Sequence, residues 1–171
     1  MITSQPKDSK GNTAIIVIID CFSRYIALYP VKQVNAQAGC DAILDLMKHF
    51  PSPSEINSDN GVENTSIQVE ELIAMLSIHQ QTIKPGSHEE NGIAERANKE
   101  VLRHLRTIVY DKRLHGDWSI AQLFVQRIIN AEQHTATKVE PYEIVFGAIA
   151  PLDPLILRPF DRKALFEKGT I

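Results

Sequence analysis

Thr13-Ala14-Ile15-Ile16-Val17-Ile18-Ile19 opens the stretch whose pattern decides the fold class. The run is apolar without alternation and rich in β-branched residues, as in a strand buried on both faces. Asp20-Cys21-Phe22-Ser23 then turns the chain into Arg24-Tyr25-Ile26-Ala27-Leu28-Tyr29-Pro30, a second strand and hairpin partner. Upstream, Asp8-Ser9-Lys10-Gly11-Asn12 is a turn signal. Downstream, Ala42, Ile43, Leu46, Met47 and Phe50 recur at helical spacing, and Pro51 ends that helix. Ser54-Glu55-Ile56-Asn57 reads as a short buried strand that ends in a turn. Val69, Leu72, Ile73 and Leu76 mark another helix, His79 to Lys84 another strand, and Pro85 to Gly92 a loop. From about Asn91 to Tyr110 the pattern is helical, with Ala94, Ala97, Val101, Leu105 and Ile108 on its core stripe. Trp118 to Ala131 is a further helix, with Trp118 in the core or at a dimer contact, and Pro141 to Gly147 leads into a final helix or its cap. A hairpin followed by alternating helices and strands predicts an α/β domain with a mixed sheet.

The 171 residues suffice for one domain with a real core. Hydrophobic content of 43% and charged content of 23% are those of a soluble globular protein. No apolar run reaches the roughly 18–20 residues that span a bilayer, and Met1 to Asp8 lacks the apolar stretch of a signal peptide. Cys21 and Cys40 are too few for a zinc motif or disulfide framework and read as buried thiols in a reducing compartment. The histidines at 49, 79, 88, 104, 115 and 134 lack zinc-like spacing and read as surface or satisfied residues. A net charge of −3 argues against polyanion binding through overall charge, so any nucleic-acid contact needs a local patch.

Two acids stand in distinctive frames, Ser58-Asp59-Asn60-Gly61 and Asn91-Gly92-Ile93-Ala94-Glu95-Arg96, with the thirty-five residues 60–94 between them. An acid at a strand end and an acid in a helix's first turn can converge across a crevice, and hard divalent cations need such carboxylates. The plainer readings are a turn at Asp59-Asn60-Gly61 and a dipole-complementing acid at Glu95. Glu95, Lys99, Arg103 and Arg106 share one helix face at spacings of four, four and three. From Arg96 to Arg113, six Lys or Arg stand against Glu100 and Asp111, a local net of +4 in an acidic chain. That face is either a solvated surface or a contact with a phosphate backbone, and Asn98 is placed for a similar contact.

Four stretches in order resemble the catalytic core of retrovirus-type integrases, closest to those of long-terminal-repeat retrotransposons. They are Ile15 to Tyr25, Ser58-Asp59-Asn60-Gly61, Asn91 to Asn98, and Pro141-Tyr142-Glu143-Ile144-Val145-Phe146-Gly147, and the likeness covers roughly residues 6–155. The resemblance implies a ribonuclease-H-like, five-stranded mixed sheet flanked by helices. It also implies an Asp, Asp, Glu triad holding two Mg2+ or Mn2+ ions, with Asp59 as second and Glu95 as third acid. The implied chemistry is trimming of the 3′ ends of retroelement DNA and their transfer to target DNA. The implied partners are those DNAs and further copies of the chain, in a homodimer or higher oligomer. The implied place is the nucleus or a retroelement particle.

Aligned backwards from Gly11-Asn12, the family's first acid falls at or just before Met1, so the opening central strand is expected to be largely missing. Asp20 matches a hairpin-capping position, and Asp8 lies in a loop expected to point away; neither is a strong stand-in ligand. Residues 1–11 are thus expected to be a remnant of the opening strand and turn, 12–150 the core, and 151–171 an extension. The family's N-terminal zinc module and C-terminal barrel have no counterpart in these residues. The chain alone is expected to be weakly active or inactive. The competing reading is a non-catalytic remnant that binds DNA or self-associates.

Overall fold

A computed structural model describes residues 1–2, 5–58, 67–82, 88–111 and 117–147. In chain order the elements are β1 (Ala14–Ile19), β2 (Ile26–Val31), α1 (Ala36–Leu46), β3 (Glu55–Ser58) and α2 (Ile67–Met75). They continue with β4 (His79–Thr82), α3 (His88–Asp111), α4 (Trp118–Ala131) and α5 (Pro141–Phe146).

β1 and β2 pair antiparallel from Ala14↔Val31 to Ile19↔Ile26. Asp20 closes the hairpin: its Oδ2 accepts from the Ser23 backbone N–H at 2.7 Å and the Ser23 hydroxyl at 2.5 Å. On the other edge of β1, Ile2 exchanges two backbone hydrogen bonds with Ile15, at 2.9 and 2.8 Å, and Gln5 N–H reaches Thr13 C=O at 2.9 Å. Ile15 therefore spends its N–H on Ile2, and Pro30 opposite it presents its missing donor to the outer edge of β2, where a strand tolerates proline. Helix α4 covers that edge. Asn130 Oδ1 accepts from Ile26 N–H, Asn130 Nδ2 donates to Ile26 C=O, and Gln126 Oε1 accepts from Leu28 N–H, each at 2.8 Å. A side-chain amide thus replaces a neighbouring strand's peptide.

β3 and β4 pair in parallel, Glu55↔His79 to Ser58↔Thr82. Among the described residues the strands form two separate pairs and not one continuous five-stranded sheet; the N-terminal segment touches β1 through the single bridge Ile2↔Ile15. One core joins Ile15, Ile26 and Leu28 to Val101 and Leu105 of α3 and to Trp118, Ala121 and Val125 of α4. The other packs Cys40, Val69, Ile73 and Ile78. Trp118 is buried, with its indole N–H donating to Pro6 C=O at 2.5 Å, which settles it in the core.

Four expectations need correction. β1 is fully buried only at Ala14 and Ile15, and its last four residues are half-buried. Cys21 is exposed because it lies in the hairpin turn; only Cys40 is a buried thiol, and burial pushes its pKa up. α1 ends at Leu46, so Met47 and Phe50 lie past it, and Phe50 stacks on Tyr25 and Phe146 at 5.4 and 5.9 Å. The segment predicted as loop from Pro85 to Gly92 is helical from His88, so α3 opens three residues before Asn91. The last signature does form a helix, α5, closed by Gly147 in the left-handed conformation that glycine adopts without penalty. Among the described residues, no helix is long and apolar enough to cross a membrane.

Candidate active site and nucleic-acid interface

Helix α3 carries most of the candidate residues. Ala97, Val101 and Leu105 are buried against the hairpin and α4, which fixes the helix's rotation. Glu95, Lys99, Arg103 and Arg106 are all exposed. At about 100° per residue, Glu95, Lys99 and Arg106 fall within about 40° of one another, a single exposed stripe. Because α3 starts at His88, Glu95 stands seven residues in and outside the first turn, where a dipole-complementing role would require it to be. Among the described residues no ion pair engages Glu95. Arg103 differs from its neighbours on the stripe: its Nη2 lies 2.5 Å from Glu100 Oε1, which holds the Glu100 carboxyl below its ordinary pKa.

Asn98, half-buried one turn after Glu95, accepts from the N-terminal amine of Met1 at 3.5 Å. The segment bridged to β1 therefore ends against α3, beside the turn that carries Glu95. Asp59 lies outside the described residues. β3 ends at Ser58, immediately before Asp59, and the Ser58 hydroxyl is buried without a hydrogen-bond partner. The two acids weighed as stand-ins are committed elsewhere. Asp20 is bonded to Ser23 in the hairpin turn. Asp8 is buried and accepts from Asn12 N–H at 2.6 Å, Asn12 Nδ2 at 2.9 Å and Lys10 N–H at 3.0 Å. Its burial opposes ionisation, but hydrogen bonds from Ser119, Asn12 and Lys10 outweigh that and leave its pKa lowered.

Two histidines have more defined roles than their spacing suggested. His134 organises the turn before α5: its N–H reaches Val139 C=O at 3.1 Å, its C=O accepts from Lys138 N–H at 2.8 Å, and its Nδ1 accepts from Ala136 N–H at 3.2 Å. Burial, then the charges of Arg24 and Arg96, push its pKa down. His104 meets Glu100 and Glu132, with their ligand-type atoms all within 4.8 Å of one another. The Glu100–His104 spacing of four was a same-face signal in the sequence; Glu132, on another element, was not.

The hairpin, the parallel β3–β4 pair and the long acid-bearing helix packed across β1 define a ribonuclease-H-like α/β core. The chain belongs to the integrase core domain family, whose model matches residues 2–88. It is 29% identical over 164 residues to the transposon Tf2-3 polyprotein of Schizosaccharomyces pombe, covering 95% of this chain and 12% of that one. The chain thus spans about an eighth of the retrotransposon polyprotein it matches. The fold is shared with the simian T-cell lymphotropic virus intasome in complex with PP2A regulatory subunit B56 gamma (TM-score 0.74, 20% identity, 90% of this chain and 57% of that one). It is shared too with the HTLV-2 integrase catalytic core domain in complex with magnesium, trimeric form (TM-score 0.68, 18% identity, 84% and 97%).

Proposed function

We propose that this chain is the catalytic core of a retroelement integrase, which processes the 3′ ends of element DNA and transfers them to target DNA. Asp59 and Glu95 are the carboxylates that hold Mg2+ or Mn2+. The observation that carries this reading is Glu95, exposed on the outer face of a helix whose opposite face is locked into the core, with no ion pair to it among the described residues. The donor set fits the ion class, since carboxylate oxygens suit hard divalent cations. When bound, such ions stabilise the attacking and leaving oxygens of a phosphoryl transfer.

The chain's own part is positioning. The buried face of α3 keeps Glu95 on a rigid element, and Lys99 and Arg106, on the same stripe, neutralise phosphates of the DNA backbone. The intasome and the trimeric core among the structures of this fold support an assembly of several copies on DNA; the nucleus or an element particle is where such an assembly would act.

The test compares the 171-residue chain with a form extended upstream through the first acid, using labelled element ends and Mn2+. Joining by the extended form, lost in Glu95→Gln and Asp59→Asn, is expected. Robust joining by the 171 residues alone would overturn the placement of the first acid, and an extended form indifferent to both substitutions would overturn the catalytic reading.

A further inference from the structure

Around α3, Glu100 is five residues from Glu95 and so about 140° away, on the side that faces the end of α4. There Glu100 Oε1 lies 3.1 Å from His104 Nε2, and Glu132 Oε2, just past α4, lies 3.9 Å from the same nitrogen. We propose that Glu100, His104 and Glu132 form a binding site for a borderline transition metal of the Zn2+ class, separate from the Asp59–Glu95 carboxylates, that clamps α3 to the C-terminal end of α4.

The donor set sets the metal class. One imidazole nitrogen with two carboxylates suits Zn2+ and its neighbours, whereas Mg2+ takes oxygens. The accessibilities fit a site that is half preformed: the His104 side chain is only 14% exposed, but those of Glu100 and Glu132 are 41% and 56% exposed. The imidazole is thus held by packing while the carboxylates can close on an ion, leaving a fourth position for water.

Arg103 occupies the position that an ion would take. Its Nη2 lies 2.9 Å from His104 Nε2 as well as 2.5 Å from Glu100 Oε1. Nε2 donates to Glu100 in the tautomer that protonates it; in the other, since a guanidinium has donors only, it accepts from Arg103. The nitrogen lone pair and a carboxylate oxygen then converge on one cationic group, and a metal ion would need that same lone pair. The Arg103 side chain is 62% exposed, so it can leave without opening the core. Metal binding would displace it onto the exposed stripe with Lys99 and Arg106, a consequence that rests on the DNA-binding reading; the metal site itself does not.

The experiment titrates the 171-residue chain with Zn2+ by calorimetry and follows the imidazole nitrogens by 15N NMR. One Zn2+ per chain at this site and a shift of the His104 Nε2 resonance are expected. His104→Gln and Glu132→Gln should each weaken binding by about tenfold or more, while Glu95→Gln leaves it unchanged. Glu132 is exposed, so its substitution does not put folding at stake. Wild-type affinity in both variants, no His104 shift at saturation, or loss of binding only in Glu95→Gln would each overturn the proposal. None of these readouts involves DNA joining, so its failure and that of the integrase reading are separable.

Discussion

Asn130→Leu should destabilise the protein more than its retained branched shape suggests. Asn130 is 2% exposed, and its amide makes two 2.8 Å hydrogen bonds to Ile26, itself 3% exposed. Leucine removes the donor and the acceptor together, leaving the Ile26 N–H and C=O buried on an edge that α4 seals from water. Each orphaned buried group costs about 1–3 kcal/mol, so the loss should be about 2–6 kcal/mol. Set against a total stability of about 5–15 kcal/mol, that is a large fraction. Gln126→Leu orphans the Leu28 N–H and takes a partner from the Tyr25 hydroxyl, which lies nearer solvent, so a smaller loss is expected. Trp118, the single tryptophan and a buried one, reports urea unfolding by fluorescence without an added probe. A ΔΔG for Asn130→Leu below about 0.5 kcal/mol, or no larger than that of Gln126→Leu, would refute the idea that side-chain amides complete the β2 edge.

Lys99→Ala and Arg106→Ala should each reduce the salt dependence of DNA binding by about one unit of slope, equally on all sequences. Arg103→Ala should do less while its guanidinium is held by Glu100; filter binding across a salt series separates the cases. His134 has its pKa lowered from 6.5 in the fold, so its neutral form supplies stability above that value, and this is lost as pH falls through the folded pKa. Denaturation midpoints should therefore drop from about pH 7 to about pH 5, less steeply in His134→Asn, and parallel curves would refute the role. Ile15→Ala, at a fully buried position where β1 meets both helices, should cost about 2–5 kcal/mol in the same urea assay.

The hairpin was legible because periodicity and turn chemistry agree at Thr13–Pro30, and the core stripe of α3 because Ala97, Val101, Leu105 and Ile108 keep helical spacing; Ala94, in the same register, is exposed beyond the end of the contact. The early start of α3 was not legible. Pro85, Gly86 and Gly92 read as loop formers, yet a glycine costs a helix only about 1 kcal/mol, which the packed length of α3 offsets. The exposure of Cys21 was hidden because a thiol's burial depends on which way a turn faces. The Asn130 and Gln126 bonds and the Glu100–His104–Glu132 cluster join residues far apart in the chain, and no local pattern announces such meetings. Of the candidate site, the face shared by Glu95, Lys99 and Arg106 was readable from spacing. The pairing of Arg103 was equally local, since Glu100 stands three residues before it, but the grouping by charge sign concealed it.

On the readings proposed above, helix α3 serves two kinds of cation because its buried stripe separates two polar flanks. One flank carries Glu95 and exposed cations, with the N-terminal segment arriving at Asn98; oxygen donors and phosphate partners belong there. The other carries Glu100 and His104 and faces Glu132, so nitrogen joins the donor set and softer metals are favoured. Arg103 stands between the flanks and can belong to only one of them at a time. Any group that takes its place on Glu100 adds a positive charge to the Lys99–Arg106 stripe. Occupancy of the α3–α4 cluster and affinity for a phosphate backbone are then linked, and linkage is reciprocal: DNA that captures Arg103 must tighten the cluster's hold on its metal by the same factor.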